Sequence, residues 1–156
     1  MDETVHLDEL DRRLLRALQR DAGVSQADLA QTVGLSPASC WRRIQALEAK
    51  GVLRQAVRLL DAGRVGRGVN VLCHVRIQAH SPESRGAFER FVADREEVME
   101  CYSMSGEWDY LLRVVVADVA DYERFLMRDL LAHPRVATAS SHFALSQVKY
   151  TTALPI

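Results

Sequence analysis

Apolar residues follow two different rhythms along this chain, and the change near residue 68 divides it. Leu7, Leu10, Leu14, Leu15 and Leu18 fall at i, i+3, i+7, i+8 and i+11, the stripe of an amphipathic helix. Asp8 is placed to cap it and Gly23 to end it. A second helix is predicted from Ser25, where Asp28 three residues on resembles a capping box. Leu29, Ala30 and Val33 form its apolar side, and Gly34 stops it. A third is predicted with Ser36 as N-cap, Pro37 at the first helical position and Gly51 closing it. Three short helices joined by tight glycine turns make a tri-helical helix-turn-helix unit. Val52 to Leu60 is β-prone and predicts a strand pair or extended wing.

Asp61-Ala62-Gly63 and Gly66-Arg67-Gly68 mark a hinge, after which strand-like runs alternate with helical ones. Val69–Gln78 predicts a strand. Ser81-Pro82 opens a helix with Phe88, Phe91 and Val92 facing inward. Val98–Met104 and the nearly continuous apolar Tyr110–Val116 predict two more strands around the turn Ser105–Asp109. Val119, Tyr122, Phe125, Leu126 and Leu130 line a further helix ended by His133-Pro134. Val136–Leu145 predicts a fourth strand, and Val148–Ala153 has the composition to extend the sheet. The order βαββαβ predicts a ferredoxin-like sandwich, so the fold class is α+β with a winged helix-turn-helix ahead of it. The expected organisation is 1–52 for the helix-turn-helix, 53–67 for wing and hinge, and 68–156 for a sensing and oligomerisation domain. The apolar run Tyr110–Val116 predicts burial on both sheet faces, hence a dimer.

Charge sharpens this picture. Six basic residues against two acids lie between Gly34 and Arg64, whereas Val65–Ile156 carries ten basic and twelve acidic residues. Such asymmetry suits a nucleic-acid contact at one end. If Cys40, Ile44 and Leu47 face the core, Ala38, Ser39, Arg42, Gln45 and Ala49 lie opposite, with Trp41 and Arg43 on the flanks. Small residues at the helix start, with Ser36, Ala38 and Ser39 among them, permit close approach to base edges. Arg42 and Gln45 match guanine and adenine respectively. Arg43, Arg54 and Arg58 are candidates for the phosphate backbone. The blander reading is a solvated helix that happens to carry two arginines.

Little else in the chain offers chemistry. Cys40, Cys73 and Cys101 are widely spaced and lack metal or disulfide patterning, which fits a reducing cytosol. The five histidines have no motif spacing to Ser103, Ser105, Glu107 or Asp109, and no phosphate loop or metal-ligand run is present. No enzyme, metal or cofactor is therefore expected. The acidic opening MDETVHLDEL is not a signal peptide, and no apolar stretch is long enough to predict a membrane span.

Taken in order, Leu7-Asp8 with Asp11, Leu14-Leu15, Leu18-Gln19, Gly34-Leu35-Ser36-Pro37, Arg43, Leu47-Glu48, Gly51-Val52, Leu60-Asp61, Gly66, Gly106–Tyr110 and Val148-Lys149 form a recognisable series. The series resembles the Lrp/AsnC family of feast/famine transcription regulators, over about Leu7 to Pro155. The resemblance implies a cytoplasmic regulator binding double-stranded DNA, with homodimers paired through the C-terminal sheets and assembling into octamers. It implies a small-molecule effector, an amino acid, held near the Gly106–Asp109 turn and the last strand. The candidate effector residues are Met104, Gly106, Glu107, Trp108, Asp109, Thr138, Ser140, His142 and Phe143. Asp109 or Glu107 would take the ammonium, turn amides the carboxylate, and Met104, Trp108 and Phe143 the apolar part. An ordinary hairpin turn is the alternative for Glu107 and Asp109. A nucleoid-architectural protein with little ligand response is the alternative function. Ala56, where the family often has an aromatic residue, and Arg58, where it often has alanine, depart from the pattern and put the packing of the wing in doubt.

Overall fold

A computed structural model of the chain describes residues 4–156 and divides it into two compact units. One runs up to Arg58 and takes in Lys149–Ile156; the other is Leu59–Val148.

The first unit is built from α1 (Glu9–Arg20), α2 (Gln26–Val33) and α3 (Pro37–Ala49). Each begins at the predicted cap. Asp8 accepts from the Asp11 amide while the Asp11 side chain accepts from the Asp8 amide, a complete capping box. Ser25 and Ser36 cap α2 and α3 through the amides of Asp28 and Ser39. Gly34 ends α2 at φ +73°, a left-handed conformation that a Cβ would disfavour. Leu14, Leu29, Ala30, Val33 and Cys40 are almost completely buried together, and Ile44, Leu35 and Leu18 pack against them. These buried side chains account for the helix spacing: removing any of the leucines would cost about 2–5 kcal/mol.

The last residues return to this unit. The Gln19 amide brackets the Leu154 backbone, accepting from its N–H and donating to its carbonyl, and Arg16 Nε donates to the Ile156 carbonyl oxygen at 2.7 Å. Assigning everything after residue 68 to the second domain therefore needs correcting for Lys149–Ile156. Val148–Ala153 does not extend the sheet; its main chain is committed to irregular structure leading to the α1 contact. Among the described residues no strand forms in Val52–Leu60 either. An extended segment becomes a strand only when a neighbour completes its ladder, and none among the described residues does.

The second unit holds a four-stranded antiparallel sheet in the order β2-β3-β1-β4. The strands are β1 (Val69–Ile77), β2 (Val98–Ser103), β3 (Tyr110–Val116) and β4 (Val136–Phe143). Helix α4 (Pro82–Ala93) follows β1, and α5 (Val119–Arg124) follows β3, continuing through a π-helical segment, Phe125–Leu130. Burial alternates strictly along β3, with Tyr110, Leu112, Val114 and Val116 inside. They meet Val71, Cys73 and Val75 of β1 and Phe88, Tyr122, Phe125 and Leu130 of the helices in one apolar core. Leu111, Arg113 and Val115 point to the opposite face, which the helices of this unit leave uncovered and where they remain half-buried. The expected burial of both faces is thus not met within one chain. The β3–β1 register places Leu111 beside His74 and Arg113 beside Leu72.

Candidate nucleic-acid interface and effector turn

Helix α3 owes its orientation to Cys40 and Leu47, which anchor one side in the core. Ala38, Arg42, Gln45 and Ala49 consequently lie exposed on the other, as the spacing predicts. Ser39 is half-buried, and Ser36 is spent on the cap. The two arginines differ sharply. Arg43 Nη1 contacts Asp8 at 2.8 Å and Asp11 at 2.6 Å, the same two carboxylates that cap α1. The Asp11 backbone amide, then Arg43, hold the Asp8 carboxyl below its usual 3.8. The two aspartates in turn push the Arg43 guanidinium up. Arg42 makes no ion pair among the described residues and stands in solvent. Gln45 is tied to Glu48 at 2.8 Å. Arg54 and Arg58 are exposed just beyond the helix, within the segment expected as a wing.

The structure adds two residues that the helix pattern left aside. Trp41 is 52% exposed beside Arg42, and both line an open groove with Gln26, Pro37 and Ala38. Its position about 100° from Cys40 put it on a flank, which by itself does not say whether an indole is covered.

In the second unit, the β2–β3 turn runs from Met104 to Asp109 and is closed by the Met104 amide donating to the Asp109 carbonyl at 2.8 Å. Gly106 sits at φ +114°, accessible without strain only to glycine. Asp109 ties the turn to β1. Its amide donates to the Val75 carbonyl, its Oδ2 accepts from the Ile77 amide at 2.9 Å, and its Oδ1 lies 3.3 Å from His80 Nδ1. Glu107 is likewise engaged: Arg76 donates to its carbonyl through Nε and Nη2 and pairs with its carboxylate at 3.1 Å. The Arg76 guanidinium also lies 5.2 Å over the Trp108 ring. Arg76 is the second residue the sequence reading missed. Only its register on β1 beside Thr138, on the face shared with His74, marks it.

Around this turn the uncovered sheet face gathers much of the expected set. Trp108 lies 5.8 Å from His74, whose ring meets His142 edge-on at 5.4 Å. Ser140 is opposite His74 and Thr138 opposite Arg76 in the β1–β4 register. His74 Nδ1 is buried without a hydrogen-bond partner among the described residues. Met104 is exposed at the base of the turn. Phe143 does not join this group; it packs against Tyr122 at 5.3 Å on the helix-covered side. Its assignment as an apolar wall beside Trp108 fails on this chain's strand alternation, because Phe143 and His142 point to opposite faces.

The three thiols are all shifted toward the protonated form. Burial raises Cys40 and Cys73, while desolvation and the Glu89 charge push Cys101 up to about 11.

Comparison with known proteins finds two family matches in succession along the chain. Residues 7–54 match a winged helix-turn-helix DNA-binding model, and residues 70–154 match the Lrp/AsnC ligand binding domain. The DNA-binding transcriptional activator DecR of Escherichia coli is 41% identical over 150 residues, covering 96% of this chain and 99% of its own. The Bkd operon transcriptional regulator of Pseudomonas aeruginosa is 38% identical over 150 residues, with 96% and 98% covered. Among solved structures, a transcriptional regulator in complex with L-Met from Neisseria meningitidis superposes with TM-score 0.92 at 35% identity, covering 96% of this chain and 97% of that one. An AsnC family regulator from Agrobacterium tumefaciens gives TM-score 0.91 at 48% identity, with the same coverage.

Proposed function

This chain belongs to the Lrp/AsnC family of DNA-binding transcriptional regulators, and from that premise we propose that an amino acid sensed by its second unit modulates its binding to an operator. The observation that carries the DNA half is Arg42, a guanidinium with no ion-pair partner among the described residues, on the exposed side of a well-anchored helix. A charge left free there costs little in water and is available for a guanine edge. Arg54 and Arg58, also exposed, take the phosphate backbone, while Ala38 and Ser39 let the helix approach closely. Gln45 reads a base once it exchanges Glu48 for adenine.

The effector half rests on the turn Gly106–Asp109 and the adjoining polar positions Thr138, Ser140 and His142, with Trp108 as the apolar contact. The Neisseria relative in complex with L-Met supports an amino acid as the class. Because Asp109 and Glu107 already hold the turn to β1, their role is to fix its shape as much as to meet an ammonium. Homodimers form through the uncovered sheet face and assemble further to octamers. Two recognition helices then meet a roughly palindromic site about one helical turn apart. The mechanism is linkage: an effector that binds one assembly better shifts the population toward it, and DNA affinity follows by the same free energy. Action in the cytoplasm follows from this role.

A thermal-shift screen of the purified chain against the twenty amino acids tests the effector half, since a ligand specific to the folded state raises the melting temperature by mass action. A shift with one or two compounds identifies the effector. If none shifts it while DNA is still retarded in a gel, the architectural reading replaces the sensor.

A further inference from the structure

Trp41 occupies an expensive position. More than half of its surface faces water, although it lies in the middle of α3, whose Cys40 and Leu47 are buried. An indole left in solvent forgoes the gain its area would give in a core, so its exposure adds nothing to folding. Its indole N–H has no hydrogen-bond partner among the described residues. It lines an open groove with Pro37 and Ala38, and Arg42, which has no ion pair among the described residues, stands at the same rim with Gln26. An apolar floor beside a free cation is complementary to a surface that is anionic overall and carries isolated apolar groups. The major groove of duplex DNA is such a surface: phosphates flank it, and the thymine C5-methyl is its one apolar marker.

We propose that Trp41 is a specificity-determining residue that reads thymine, its indole packing on a thymine methyl next to the base taken by Arg42. The inference rests on α3 being the recognition helix and names what that helix recognises. Trp41 and Gln45, four residues apart, share one side of α3, so the methyl contact lies on the Gln45 side of Arg42.

The test begins with selection of binding sites from random duplex DNA by the full-length chain and by its W41A and W41F variants. Each thymine of the wild-type site is then replaced by deoxyuridine, which removes only the methyl. At one position per half-site the wild type should bind about fourfold more weakly, the transfer worth of one methyl. W41A should bind both versions equally there and lose thymine from its own selected sites, whereas W41F should keep part of the methyl dependence. An undiminished uracil penalty in W41A overturns the proposal. So does a flat uracil scan of the wild type, which holds even if W41A fails to fold. If the wild type selects no DNA at all, the recognition-helix reading falls with it; a selected site without methyl dependence removes Trp41 alone. Capture of an apolar peptide by the groove with no effect of W41A on DNA selection would also overturn it.

Discussion

Arg42 and Arg43 are neighbours in sequence, yet a turn of about 100° about the helix axis gives them different work. Arg43 is held by Asp8 and Asp11 and ties α3 to the cap of α1; Arg42 is exposed and has no ion pair among the described residues. We expect Arg42→Ala to weaken operator binding by about 1–3 kcal/mol and to relax preference at one base. Arg43→Ala should instead lower the melting temperature of the first unit. It should leave the slope of log affinity against log salt unchanged, because a residue that neutralises no phosphate releases no counterion. A flattened slope in Arg43→Ala would return it to the backbone contacts. A second expectation concerns acid. The folded-state pKa of Asp8 is depressed, so its contribution to stability is complete above its unfolded value near 3.8 and is lost as pH falls through the lower folded value. Asp8→Asn should therefore melt earlier than the wild type at pH 7, and the gap should close progressively below about pH 4. A gap that persists unchanged at low pH would show that the carboxylate charge is not what matters. The helix spacing already set Arg42 apart as a base-reading candidate from Arg43 as a backbone candidate. That Arg43 is instead held by the α1 cap was not legible, because its partners lie more than thirty positions away.

Helices and strands followed their local signals closely, since caps, glycine stops and apolar spacing act within a few residues. All three helix-turn-helix caps, the Pro82 helix start and the Tyr110–Val116 strand formed where the pattern put them. Gly34→Ala should cost about 1–2 kcal/mol, because alanine in the left-handed conformation is strained even though space for its Cβ is open. Thermal melting checks this, and an unchanged midpoint would mean the turn rearranges. The β2–β3 turn is a less local element. Its Asp109 is a structural acceptor for the Ile77 amide, so Asp109→Ala should destabilise the second unit by about 1–3 kcal/mol through the orphaned N–H. Asp109→Asn keeps an acceptor and should largely spare stability. A loss of effector response in Asp109→Asn, measured as the amino-acid-induced thermal shift, would then report on the effector itself. Of the two readings of Val52–Leu60, strand pair or extended wing, the strand pair does not form, and Val148–Ala153 adds no strand, for a common reason: β-propensity describes a side chain, whereas a strand also needs a partner backbone.

At the level of the whole molecule, the sheet of the second unit has helices on one face only. Leu72 and Leu111, with Trp108 and Val115, remain partly accessible on the other. The homodimer proposed above would cover that face and so account for the apolar excess of β3. Sedimentation should accordingly show a dimer or larger assembly for the wild type, and Leu111→Glu should shift it toward monomer with the unit still folded. A monomeric wild type would leave the face for another partner. Helix α1 and the last residues meet in the first unit through Gln19 and Leu154, so the chain passes twice between the two units.

The sequence by itself determined the elements, their order and the exposed side of α3, because these depend on spacing, caps and turn residues that act over a few positions. It also carried the series of motifs that marks the family. Tertiary structure decided which polar groups were already spoken for. Arg43 is paired with α1, Glu107 with Arg76, and Asp109 with the β1 backbone. It decided that Phe143 turns away from the face that holds His142, and that the last residues pack with helix α1. Each of these depends on contacts between residues far apart in the chain, where a side chain's partner is set by packing and strand register, which no local pattern encodes.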